Sequence, residues 1–174
     1  ITAGLMAVGV HRFVDQPLWL MVHVPLLGAA TAAILIWSQH FADTLLRRPA
    51  LGGRVGLGIR LLGHTVGAAL IVVGILAGVP PLAVTGAIGV AAVALAHGIV
   101  LTLQLRHALP ARFAPLVRYY IAASAVFLGG IAAGIVIVLT GEPGTADRLV
   151  MSHLVLNVFG WLGVTVLGTL VLLW

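Results

Sequence analysis

Five long apolar stretches, nearly free of charge, decide what this chain can fold into. They run roughly over Pro17–Ala42, Gly56–Gly78, Pro81–Leu105, Val117–Thr140 and from Leu149 to the C-terminus. A helix needs about 20 mostly apolar residues to cross a bilayer, and each stretch meets that length. Pro17 opens the first of them at a helix start, where proline is tolerated. Pro80-Pro81, Pro110 and the turn-rich Gly141-Glu142-Pro143-Gly144 separate the later ones. Residues 1–10 have no basic n-region and no small-residue cleavage site, so they do not read as a signal peptide. They read as the second half of a further helix whose start is missing. The expectation is an all-α, polytopic transmembrane bundle of about six helices, the first truncated. It forms one domain over residues 1–174, because no polar linker divides it, and it reads as a fragment of a larger protein.

Composition excludes the main alternatives. Charged residues make up 7% of the chain, against about 25% in a soluble domain. That is too few to cover a water-exposed surface, which rules out a soluble enzyme, a nucleic-acid binder and a disordered tail. Cysteine is absent, so disulfides, Cys-ligated zinc and iron–sulfur clusters are excluded.

The basic residues are all arginine, and their placement predicts orientation, because cytoplasmic loops are enriched in positive charge. Arg47, Arg48, Arg54 and Arg60 fall between the first two complete stretches. Arg106, Arg112 and Arg118 fall between the next pair. Loops 43–60 and 106–118 are therefore expected to be cytoplasmic. Arg12 and Arg148 lie on the other side, with Asp15, Glu142 and Asp147. Trp19, Trp37, Tyr119, Tyr120 and Trp174 fall near the predicted interfaces, as aromatic belts do. Gly63/Gly67, Gly74/Gly78 and Gly130/Gly134 are spaced for close helix packing.

Seven histidines outnumber the four acids. Ionisable groups inside a membrane are costly and face the bundle interior. His23, His64, His97 and His153 lie within predicted spans, and His40 at the cytoplasmic end of one. His11 and His107 read as solvated loop residues. His23 is six residues inside its span, about 9 Å, and His153 four residues inside, about 6 Å. They form an outer pair at similar depth. His64 and His97 are each eight residues from a cytoplasmic end and form an inner pair. Two neutral imidazoles at matched depth on different helices can ligate haem or copper. The alternative for each is a structural histidine bonded to a backbone carbonyl or a neighbouring hydroxyl. Pro25 frees the carbonyl of Met21 and predicts a kink beside His23. His153, Asn157, Gly160, Val164 and Gly168 follow helical spacing on one stripe. Asn157 needs a partner there, and Gly160 leaves room for a flat macrocycle.

The segment His153-Leu-Val-Leu-Asn157-Val-Phe-Gly160-Trp161 resembles the His-x-His-x-Asn-x-x-Gly-Trp helix of haem–copper oxidase subunit I-like membrane proteins. Val155 replaces the second histidine. Over most of residues 17–174 the chain is similar to the N-terminal membrane domain of actinobacterial multicopper oxidases, often described as copper-containing nitrite reductase-like. The segments that carry this are His23 to Gly28, Ile36 to Asp43, Leu109 to Phe113, Val117 to Tyr120 and Gly160 to Thr169. The resemblance implies a haem–copper-oxidase-like fold in a bacterial plasma membrane, part of an oxidoreductase. Soluble cupredoxin domains would follow C-terminally.

Together these readings predict a membrane redox module that binds haem b, or copper, and passes electrons from the quinol pool to a copper oxidase or nitrite reductase domain. His23, His153, His97, His64, Asn157 and Gly160 are the candidate cofactor-binding residues. His23, His40, His97 and His153 are the candidate metal ligands, and no residue is assigned a catalytic role. By resemblance His97 can pair with His40 instead of His64. The alternatives are a cofactor-free anchor of a multicopper oxidase and a small proton-coupled transporter. Against the transporter stands the absence of a carboxylate within the predicted spans.

Overall fold

The computed structural model describes residues 16–109, 113–140 and 145–173. The truncated first helix and His11 lie outside them. Five helices among the described residues are long and apolar enough to cross a membrane. Helix α1 covers Pro17–Leu45, α2 Gly53–Leu76 and α3 Pro80–Arg106. A single 3₁₀ turn, Ala114–Leu116, leads into α4, Val117–Thr140, and α5 covers 145–173. Large apolar side chains such as Leu18, Val55, Leu62, Ile88, Leu139 and Leu167 point outward. A water-soluble fold would bury such a surface, and one this apolar suits a lipid bilayer. The protein is a membrane-embedded, all-α bundle.

The turns use residues suited to them. Arg47 and Gly52 have φ of 48° and 78° between α1 and α2, and Gly78 has φ of 64° between α2 and α3. Glycine adopts such values freely, whereas Arg47 takes its left-handed value at a steric cost. Helices α2 and α3, α3 and α4, and α4 and α5 pack as successive neighbours, and α1 lies across α2, α3 and α4. Gly67 and Gly86 set the α2–α3 spacing: a Cβ on Gly86 would stand 2.5 Å from the Gly67 carbonyl oxygen. The core holds Ile34, Leu35, Val90, Ala94, Ala123, Phe127, Ile131 and Trp161. Trp161 ties α5 to α1. Its ring stacks on Phe127 at 4.7 Å, and its Nε1–H donates to Thr31 Oγ1 at 3.3 Å.

Two helices are locally wound as π-helix, Val24–Ala30 in α1 and Val155–Gly163 in α5. Pro25 was expected to kink α1. The helix instead widens over seven residues, absorbing the missing N–H without breaking. Thr31 Oγ1 reaches back five residues to the Leu26 carbonyl at 3.0 Å.

Four sequence expectations change. The charged loop 43–60 is largely helix, with a connection spanning only 46–52. Arg60 is 7% exposed in α2, so it is a core residue and not a topology charge. Asp43 belongs to the last turn of α1, so a carboxylate does lie within a span. Tyr120 is buried and bonded to Thr169 at 3.2 Å, so it is not a belt residue.

Candidate functional site: an outer histidine pair and an inner polar network

His23 ends the first α-helical segment of α1, and its π-helical stretch begins at the next residue. His153 lies two residues before the π-helical stretch of α5. Their ring centres are 6.1 Å apart with planes inclined by 23°. The sequence-predicted outer pair is therefore one site. π-Helical insertions recur at functional sites because they redirect one side chain without unwinding the helix.

Each ring is oriented from behind. Nδ1–H of His23 donates to the Trp19 carbonyl at 2.9 Å, and the Trp19 indole stacks on the imidazole at 4.2 Å. Nδ1–H of His153 donates to the Gly130 carbonyl at 2.8 Å. The Asn157 amide donates to the His153 carbonyl at 2.5 Å and lies 3.3 Å from Nδ1. With Nδ1 protonated in both rings, Nε2 carries the lone pair. Neither Nε2 makes a hydrogen bond among the described residues.

Both rings line a cavity of about 370 Å³ enclosed mainly by apolar side chains, among them Leu27, Val90, Phe127 and Ile131. Small-molecule sites have volumes of about 300–1,000 Å³. Gly130 and Gly134 bring α4 close enough to seat the pair. A Cβ on Gly134 would stand 2.9 Å from His153 Cε1, and one on Gly130 would stand 2.5 Å from Asn157 Nδ2. The sequence pointed to these two glycines only as a packing motif. Gly160 plays a different part from the one expected. A Cβ there would collide with Val126 Cγ1, so the room it leaves is taken up by α4.

The inner pair does not form. His64 and His97 are 1% and 0% exposed, but no ring contact or hydrogen bond joins them among the described residues. His97 Nε2–H donates to Ser38 Oγ at 2.8 Å, and Ser38 donates to the Ile34 carbonyl at 2.6 Å. His64 faces the Leu27 and Gly28 carbonyls without a well-formed bond. His40 is exposed and packs on Trp37 and Phe41, so it pairs with neither. Among the described residues no three His, Asp or Glu side chains converge as a metal site.

A network that the sequence reading missed lies at the end of the bundle that carries the 46–52 connection. Arg60 Nη2–H donates to Gln39 Oε1 at 2.9 Å. Gln39 donates to Asp43 at 2.9 Å and to Gln104 at 3.0 Å. Gln104 donates to Asp43 at 2.7 Å and to the Arg48 carbonyl at 2.5 Å. The Ala50 N–H closes on Asp43 at 3.0 Å. Gln39 and Gln104, uncharged residues inside apolar stretches, were the available signal.

Comparison with known proteins finds no match: no family model, no curated protein and no solved structure matches the chain.

Proposed function

We propose that the chain is a membrane redox module holding a b-type haem between His23 and His153. The observation that carries this reading is the ring separation of 6.1 Å between two imidazoles whose Nε2 atoms make no hydrogen bond among the described residues. The two rings are close enough for His23 and His153 to hold one haem iron through their Nε2 atoms. The donor set fits as well, because ligating histidines usually donate their second N–H to a carbonyl or carboxylate. A haem would take its protein ligands from these two histidines. A copper centre built on three or more histidines or carboxylates lacks its ligands among the described residues, which favours haem over copper.

Haem bound there would accept and release single electrons. The chain's own residues fix both rings through the Trp19 and Gly130 carbonyls, exclude water with the apolar wall, and hold α4 close through Gly130 and Gly134. By the resemblance set out above, the electrons would pass from quinol to an attached extracytoplasmic multicopper oxidase or nitrite reductase-like domain. The arginine-rich 46–52 connection and the 106–118 segment would then face the cytoplasm of a bacterial cell. The test is a haem assay on protein purified from haem-replete cells. One haem per chain is expected, and a colourless preparation overturns the reading.

A further inference from the structure

The two ends of the bundle are unequally charged. At the end that carries the 46–52 connection, Arg47, Arg48, Arg54, Arg106 and Arg118 are all exposed. Among the described residues the carboxylate at this end is Asp43, and its Oδ1 is committed to Gln39, Gln104 and the Ala50 N–H. No acid stands in the first turn of α2 or of α4. At the opposite end the exposed charges among the described residues, Asp147 and Arg148, are balanced. The arginine-bearing end therefore presents uncompensated positive charge.

Backbone geometry gathers three of these arginines from two segments. Helix α1 ends in a Schellman turn, in which Arg48 N–H returns to the Asp43 carbonyl at 3.2 Å and Arg47 N–H to the Thr44 carbonyl at 3.3 Å. The left-handed position of that turn, usually glycine, is held by Arg47 with φ of 48°. Arg48 Nη1–H then donates to the His107 carbonyl at 2.9 Å, and Gln104 donates to the Arg48 carbonyl at 2.5 Å. These bonds clamp the 46–52 connection to the C-terminal end of α3, beside Arg106. A guanidinium has five N–H donors, so Arg48 keeps donors for a ligand after making the clamp.

The apolar neighbours indicate which anion fits. Leu51 in the same connection is 59% exposed, and Leu109, two residues past His107, is 83% exposed. A soluble anion makes no use of such side chains, whereas a phospholipid brings a phosphate and an acyl region together. Arginine forks suit phosphate oxygens, and basic clusters at the ends of membrane helices attract anionic headgroups. We propose that Arg47, Arg48 and Arg106 form a binding site for the headgroup phosphate of an anionic phospholipid, with Leu51 and Leu109 against its acyl region. Arg54 and Arg118 extend the positive field around it. The site lies at the other end of α1 from His23, and the inference does not use the haem reading.

The chain is reconstituted in phosphatidylcholine vesicles doped with spin-labelled phosphatidylglycerol or, in parallel, with spin-labelled phosphatidylcholine. Electron paramagnetic resonance reads the fraction of label immobilised at the protein, whichever way the chain inserts. A several-fold preference for phosphatidylglycerol is expected, and it should shrink as ionic strength rises, because exposed charges are screened. Removing one arginine near an anionic surface weakens binding about fivefold. Arg47→Gln combined with Arg106→Gln is therefore expected to bring the two labels close to parity. Neither side chain takes part in the clamp, and circular dichroism checks that the bundle is intact. Arg106→Gln alone, expected to lose part of the preference, decides the matter should the double variant misfold. Arg148→Gln, at the opposite end, is expected to change nothing. Equal immobilisation of both labels by the wild type would overturn the proposal and leave the arginines to a soluble acidic partner. An undiminished preference in the folded arginine variants, or an equal loss in Arg148→Gln, would overturn it as well.

Discussion

Nδ1–H of His153 on α5 donates to the backbone carbonyl of Gly130 on α4 at 2.8 Å. That bond crosses a helix interface, so it fixes the ring relative to α4 and not merely to its own helix. The bare Nε2 it leaves is what makes His153 a candidate ligand. The glycine spacing on α4 is what allows the approach.

Gly134→Ala tests that dependence. The new Cβ would stand 2.9 Å from His153 Cε1 and 3.0 Å from Nδ1. Overpacking of this kind costs about 1–3 kcal/mol, and the ring must turn away from its present seat. Haem content per chain is expected to fall sharply while circular dichroism still reports a helical bundle. Unchanged haem content would show that the ring position is not critical.

Gly86→Ala probes the scaffold instead of the site. Its Cβ would meet the Gly67 carbonyl oxygen at 2.5 Å and Ile71 N at 2.7 Å, both backbone atoms that cannot swing aside. Separation of α2 from α3 is expected, with a loss on the order of 1–3 kcal/mol. Thermal unfolding in detergent should show it as a lowered midpoint.

The five spans were readable because length and apolarity alone define a membrane helix. The outer pair was readable for a related reason: His23 and His153 lie within a few residues of span ends that the sequence marks clearly. Arg60 was misread because a charge near a span end is ordinarily a loop charge, and its burial depends on Gln39 of a different helix. The glycine stripe of α5 was misread because it assumes a uniform helical period. The π-helical turns over Val155–Gly163 break that period, and Gly160 comes to rest on Val126. No local pattern announces such turns, since they are set by what the neighbouring helix presents.

Asp43→Ala tests the inner network as structure. Its Oδ1 accepts from Gln39, Gln104 and the Ala50 N–H. Bonds to a charged acceptor contribute about 1.5–3 kcal/mol each, and donors left buried add their own penalty. Asp43→Asn keeps an acceptor oxygen in place and should destabilise less than Asp43→Ala. Limited proteolysis of the 46–52 connection reads the difference, with the alanine variant cut fastest.

Trp161→Phe separates stacking from hydrogen bonding. The Phe127 stack survives, whereas the 3.3 Å bond to Thr31 is lost. A neutral bond contributes about 0.5–1.5 kcal/mol, so a small drop in unfolding midpoint is expected. Trp161→Ala, which empties the core position, should cost about 3–5 kcal/mol.

The most direct test of the central claim is the reduced-minus-oxidised absorption spectrum of the purified chain beside those of His23→Ala and His153→Ala. The account predicts a b-type haem spectrum in the wild type that is lost or converted to a weakly ligated form in both variants. A haem signal that survives both substitutions unchanged would contradict it.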